Sequence, residues 1–177
     1  MTASIMLVDD DPDFLELMTL QLNEAGYRYV RREYDPLRAA REIEAGIDVD
    51  LALVDMTMPE MDGLTLLDRI KVARPYIEVI MITAVDEVRS AVACLRRGAY
   101  DYLVKPVAPE ALLLALRRAL ERKRLLDVVA LEKGEALPEL KNPAPFVPII
   151  TRSAQMRRVM KEAELHAASD VPVLITG

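Results

Sequence analysis

The stretch SIMLVDDDPDFLELMTLQLNEAG, residues 4–26, changes its rhythm halfway. Ile5 to Val8 is a short apolar, β-branched run, as a parallel strand buried on both faces requires. Three aspartates follow, and then Pro12, a residue suited to the first position of a helix. Asp11 stands where a capping carboxylate belongs. Phe14, Leu15, Leu17, Met18 and Leu22 supply an apolar helical face, and Gly26 is placed to stop it. A strand that passes through an acidic turn into a helix is half of a βαβ unit.

The same grammar repeats. Tyr29 to Glu33, Leu51 to Val54, Ile77 to Ile82 and Tyr100 to Val104 read as further strands. The first, third and fourth strands are almost wholly apolar, whereas the second is polar enough for a sheet edge. Helical periodicity fills the intervals at Pro36 to Ala45, Leu64 to Ala73 and Asp86 to Arg97. Five strands alternating with helices predict an α/β fold, doubly wound, with right-handed crossovers and a parallel sheet covered on both faces.

Composition narrows the chemistry. The 177 residues are 52% hydrophobic and 29% charged, enough apolar volume for a core, and the length suits one domain plus a tail. One cysteine, Cys94, and one histidine, His166, exclude an intramolecular disulfide, a Cys/His zinc cage and any mechanism with two histidines. A net charge of −6 argues against direct nucleic-acid binding by this segment through its overall charge. The N-terminus lacks a basic leader, and no apolar run approaches the ~20 residues of a membrane span. We expect a soluble, cytoplasmic, unprocessed chain with no membrane partner.

After Pro109 a helix is expected to run to about Lys133, roughly 35 Å at ~1.5 Å per residue. Its first half, EALLLALRRAL, has a core-facing stripe. In the second half Leu125, Leu126 and Val129 are surrounded by charge, which predicts a projecting segment that needs a partner. The basic residues Arg117, Arg118, Arg122, Lys123 and Arg124 read as a solvated helix face. GEALPELKNPAPFVP is a linker by composition. Beyond it one amphipathic helix capped by Ser153 and one apolar strand, Val171 to Ile175, are expected.

In an open parallel sheet, function is expected at the C-terminal strand ends, near the switch in strand order. Asp9, Asp10 and Asp11 follow strand one and Asp55 follows strand three. With those strands adjacent, the carboxylates converge. At ~5 Å and an effective dielectric of ~20, each pair repels by roughly 3 kcal/mol, so such a cluster calls for a cation. Oxygen-only donors favour Mg²⁺, which also takes a phosphoryl oxygen. Lys105, at the end of strand five, supplies a compact positive charge, and Thr83, at the end of strand four, a hydroxyl. These groups suit Mg²⁺-assisted phosphoryl transfer to a carboxylate. Asp11 fits a helix cap better than a ligand.

IMLVDDDPDFLELM, LALVDMTMPEMDG, MITAV and DYLVKPV together resemble the signature segments of response-regulator receiver domains of two-component signalling, in order and over about residues 3–122. The resemblance implies a flavodoxin-like sheet of order 2-1-3-4-5. By position Asp55 matches the phosphoacceptor and Asp9 and Asp10 the Mg²⁺-supporting pair, with Asp10 the stronger candidate for direct coordination. Thr57 matches the residue whose backbone carbonyl completes the metal site. Thr83 and Lys105 match the phosphoryl-binding residues, and Tyr102 the aromatic that turns with Thr83. Val107 departs from the family, which more often has an aromatic there. A sensor histidine kinase is the implied donor.

The last segment, from Ile149 to Gly177, resembles the opening of the AAA+ ATPase domain of sigma-54-dependent, nitrogen-regulator-like transcriptional activators. In that family VPVLITG leads into the phosphate-binding loop. Gly177 matches the loop's first glycine, so the residues that would bind ATP are not in this chain and no ATPase activity is expected of it. The implied organisation is a receiver at 3–122, a helical dimerisation and relay extension with linker at 123–148, and the start of an ATPase at 149–177. A homodimer is expected through Leu116, Leu125, Leu126 and Val129, with ATPase and DNA-binding domains in the longer protein. The competing class is a haloacid-dehalogenase-like phosphatase, which also forms an aspartyl phosphate but usually has a second aspartate where this chain has Thr57.

Overall fold

A computed structural model describes residues 3–84, 88–132, 140, 142–149 and 154–167. Five strands, β1 (Ser4–Val8), β2 (Tyr29–Glu33), β3 (Leu51–Asp55), β4 (Glu78–Thr83) and β5 (Asp101–Val104), form one sheet of order β2-β1-β3-β4-β5 with every pairing parallel. The strand bounds lie within a residue of those read from sequence. Helices α1 (Pro12–Glu24), α2 (Pro36–Glu44), α3 (Gly63–Ala73), α4 (Val88–Arg96) and α5 (Pro109–Glu132) connect and follow them. This is the flavodoxin-like doubly wound fold.

The alternation of side chains along each strand splits the core in two. Met6, Val8, Ala52, Val54, Val79 and Met81 face α2, α3 and α4, which contribute Ile43, Leu66, Ile70 and Cys94 among others. Ile5, Leu7, Leu51, Leu53, Ile80 and Ile82 face α1 and α5. Strands β1, β3 and β4 need apolar residues at both parities because both faces are covered; β2, at the edge, exposes Tyr29, Arg31 and Arg32.

The helix ends use the expected chemistry. Asp11 accepts from the Asp13 and Phe14 amides, Asp35 from Leu37, and Asp62 from Thr65, each carboxylate satisfying an amide that has no intrahelical partner. Asp11 is therefore a cap. Gly26 and Gly46, at φ of +90° and +95°, end α1 and α2 in a conformation that disfavours side chains.

One expectation is corrected. Leu116, expected at a dimer surface, is fully buried with Leu112, Ala115 and Ala119 of α5 against the α1 side of the sheet. The first half of α5 spends its apolar stripe on the core. Leu125 is exposed and Leu126 half-buried, while the Val129 side chain lies outside what is described.

At the N-terminal end of β4 the carboxylate of Glu78 is buried between two cations. Arg122 of α5 donates to Glu78 Oε2 at 3.0 Å and stands 5.8 Å from the Tyr100 ring centre; Lys71 Nζ lies 3.8 Å from the same oxygen and donates to the Ile77 carbonyl at 2.6 Å. Burial pushes the Tyr27 hydroxyl up, with the nearby Arg117 charge acting against it. Arg122 is thus a structural tie rather than part of a wholly solvated face.

The chain divides into two compact units, 1–123 and 124–177, with the division inside α5. In the second unit a short 3₁₀ turn spans Ala144–Phe146 and α6 spans Ala154–His166. Within α6 Lys161 pairs with Glu164 at 2.7 Å, and Glu164 also accepts from the Asn142 amide. Ser153 and the expected strand Val171 to Ile175 lie outside the described residues. Among the described residues no helix is long and apolar enough to cross a membrane.

Candidate functional site

The site lies at the C-terminal ends of β1, β3, β4 and β5, where the strand order switches. Asp9 follows the last residue of β1 and its amide donates to the Glu33 carbonyl at 3.2 Å, which fixes the turn to the neighbouring strand. Asp55 is the last residue of β3, held in register against Ile82. One carboxylate oxygen from each of Asp9, Asp10 and Asp55 falls within 4.8 Å of the others. Asp9 and Asp55 are buried and Asp10 is exposed, so the cluster opens to solvent on one side.

Lys105 bridges the two buried carboxylates. Its Nζ lies 2.7 Å from Asp9 Oδ2 and 2.7 Å from Asp55 Oδ1. The remaining oxygens are also engaged: Asp9 Oδ1 accepts from the Asp11 amide at 2.9 Å and Asp55 Oδ2 from the Thr57 amide at 2.7 Å. Burial pushes the Asp9 carboxyl up, reinforced by the charge of Asp55 and only partly offset by the Lys105 and Asp11 hydrogen bonds. For Lys105 burial acts downward, but hydrogen bonds and charge from Asp55 and Asp9 outweigh it and hold the ammonium above its ordinary value. Three carboxylates converge and only two of them pair with the ammonium, an arrangement deficient in positive charge.

Thr83 ends β4 and is buried one step past Ile82, the partner of Asp55. Its carbonyl accepts the Lys105 amide at 2.7 Å, tying the ends of β4 and β5 together, and the Lys105–Pro106 bond is cis. Tyr102 is half-buried and pairs in register with Met81. By strand alternation Tyr102 and Thr83 share one face of the sheet. Thr57 is exposed in the loop after β3.

That loop is closed at its base. Met56 donates to the Ile82 carbonyl at 2.8 Å and Gly63 to the Met56 carbonyl at 3.0 Å. A Cβ at Gly63 would overlap the Asp55 carbonyl oxygen and press on Met81, so only glycine allows α3 to start this close to Asp55. Asp62 caps that helix, and the Thr65 hydrogen bonds hold its carboxyl below the usual range.

Sequence reading located every group of this cluster but missed Phe14, whose ring lies 4.1 Å from Lys105 Nζ. The available signal was an aromatic in the first turn of α1, one turn beyond the acidic run, and periodicity assigned it to the core alone. The donor set fits a hard divalent cation: oxygen ligands only, more negative than positive charge, and an open side for water.

A doubly wound sheet with converging carboxylates and a bridging lysine at its switch point defines a class of α/β proteins with an acidic pocket at the strand ends. Comparison makes this specific: residues 5–117 match the response regulator receiver domain, and the chain belongs to that family. It is 37% identical over 177 residues to the transcriptional regulatory protein GlrR of Escherichia coli K12, covering 99% of this chain but 36% of that protein. The chain thus spans about a third of the length of the curated relatives it matches. A CheY-like receiver domain from Methanospirillum hungatei superposes with a TM-score of 0.64 at 31% identity, covering 68% of this chain and 95% of that one. NtrX from Brucella abortus, solved with ADP, gives 0.68 at 29% identity over 92% of this chain and 33% of its own.

Proposed function

We propose that the chain is the phosphoacceptor part of a two-component transcriptional regulator. Asp55 accepts the phosphoryl group: a carboxylate oxygen attacks phosphorus while the bond to the histidine of a sensor kinase breaks. Residues 3–122 form the receiver, 123–148 a helical dimerisation and relay extension with linker, and 149–177 the start of a sigma-54-activating AAA+ ATPase. The protein acts in the cytoplasm, and promoter binding resides in a further domain of the longer protein. The observation that carries this reading is the Lys105 bridge between Asp9 and Asp55 beside exposed Asp10.

Asp9, Asp10, Asp55 and the Thr57 carbonyl would hold Mg²⁺. Bound there, it supplies charge neutralisation for the phosphoryl oxygens. The Thr57 amide keeps the Asp55 carboxylate from rotating. Lys105 exchanges a carboxylate contact for a phosphoryl oxygen, and the Thr83 hydroxyl turns to another. The modification changes the charge on Asp55 from −1 to about −2 and adds acceptor oxygens. Tyr102, on the same sheet face as Thr83, follows it inward, and the populations of two states of the surface around α4, β5 and α5 shift. Relay proceeds through a homodimer in which Leu125, Leu126 and Val129 contribute apolar contacts, without Leu116.

Incubation with acetyl phosphate and Mg²⁺ is expected to give one phosphoryl adduct, located at Asp55 by mass spectrometry and absent from Asp55→Asn. Rapid turnover of many phosphate esters instead would support the haloacid-dehalogenase-like alternative, against which Thr57 already stands. Light scattering with and without beryllofluoride tests the dimer; a monodisperse monomer in both conditions would exclude it.

A further inference from the structure

Lys105 has three close neighbours, of which the phosphoryl-transfer reading uses two. An ammonium carries three donors and no acceptor, and here two directions are taken by Asp9 Oδ2 and Asp55 Oδ1 at 2.7 Å each. The third neighbour is the Phe14 ring, with its centre 4.1 Å from Nζ. Such a ring attracts a cation through the negative face of its quadrupole. Phe14 is seated independently of the lysine: its amide donates to the cap Asp11 at 3.2 Å, and its side chain packs partly buried against the core shared by α1 and α5. Leu15, Met18 and Ile82 join it around a small cavity bordered by Asp9 and Asp55. The surroundings of the Phe14 ring are therefore largely apolar.

The geometry points to Phe14 as a positioning residue for Lys105. The ring steadies the ammonium at the pocket wall through charge–quadrupole attraction while offering no oxygen. A third carboxylate or carbonyl at this place would hold the lysine more tightly and draw it away from an arriving phosphoryl oxygen. A ring leaves it charged, partly dehydrated and free to exchange one carboxylate for phosphate. This rests on the reading of Asp55 as phosphoacceptor.

Two measurements on Phe14→Leu and Phe14→Tyr, alone and combined with Lys105→Ala, test it. In the metal-free protein, NMR should show the Lys105 Hε protons shifted upfield by the ring current in wild type and Phe14→Tyr, and returned to ordinary values in Phe14→Leu. With acetyl phosphate and Mg²⁺, Phe14→Leu should slow adduct formation at Asp55 by about three- to tenfold, the size of a partly dehydrated cation–π contact. Phe14→Tyr should retain the rate, and Phe14→Leu should add nothing in the Lys105→Ala background. An unchanged rate in Phe14→Leu, or equal slowing in both backgrounds, would overturn the proposal. Absence of any adduct in wild type would instead remove the phosphoacceptor reading, and the NMR measurement would still decide whether ring and ammonium meet.

Discussion

The two ends of β4 solve opposite electrostatic problems. At the C-terminal end, beside Thr83, three carboxylates converge around a single ammonium, that of Lys105, which pairs with two of them. At the N-terminal end, roughly 16 Å away at ~3.3 Å per residue, one buried carboxylate, Glu78, takes two cations, Lys71 and Arg122. The second group is over-neutralised and ties helix to strand. The first is under-neutralised and is held in that state by the fold, which accords with the proposal that it receives an ion and a phosphoryl group. Buried charge alone does not set the two ends apart; an excess of carboxylate over cation does.

Breaking the over-neutralised end should cost more than altering the under-neutralised one. Glu78→Ala leaves Lys71 buried without its carboxylate and Arg122 without its tie, and should lower stability by about 3 kcal/mol in urea unfolding, the lower figure for breaking a buried pair because Arg122 is half exposed. A loss below about 1 kcal/mol would remove the contrast. Asp10→Asn should act in the opposite direction. In EDTA it relieves repulsion and should raise the melting temperature by roughly 2–4 °C, and the further rise expected on adding Mg²⁺ to wild type should be smaller in the variant.

The smallest effect sharpens the comparison through pH. Lys105 is held above the ordinary lysine value of 10.5, so its stabilisation is complete below 10.5 and is lost as pH rises through its higher folded value. Burial pulls Lys71 below 10.5, with the nearby Arg122 charge adding to the effect and Glu78 opposing it. Its contribution therefore improves as pH rises from the lowered folded value towards 10.5. In alkaline unfolding without metal, Lys105→Met should weaken the decline in stability above pH 10.5. Lys71→Met should remove a small gain just below it. Identical profiles for the two variants would contradict the assignment.

The sheet was legible because β1, β3 and β4 are apolar at both parities and β2 is not, a pattern that encodes their places in the sheet. The aspartates and Lys105 were legible because strand-end positions in a parallel sheet converge by topology alone. Other features were not. Arg122 is one of five basic residues within 117–124, and the partner that sets it apart from Arg118 comes from a distant chain segment, Glu78, 44 residues away. Leu116 resembles Leu125 in sequence, and only the extent of the sheet decides that one is core and the other exposed. Phe14 met Lys105 across 91 residues, beyond the reach of periodicity.

The tight seat of Gly63 against the Asp55 carbonyl has a consequence for protein engineering. Residues 56–62 form a ring sealed by the Met56 and Gly63 hydrogen bonds, and its outer rim, with Thr57, Pro59 and Glu60, faces solvent. A library that varies that rim would change which surfaces the loop meets while leaving its foundation in place. Glu60, at φ +66°, is the position where glycine or asparagine enters without conformational cost. Lengthening the ring, or enlarging its closing residue, would instead displace Asp55 itself.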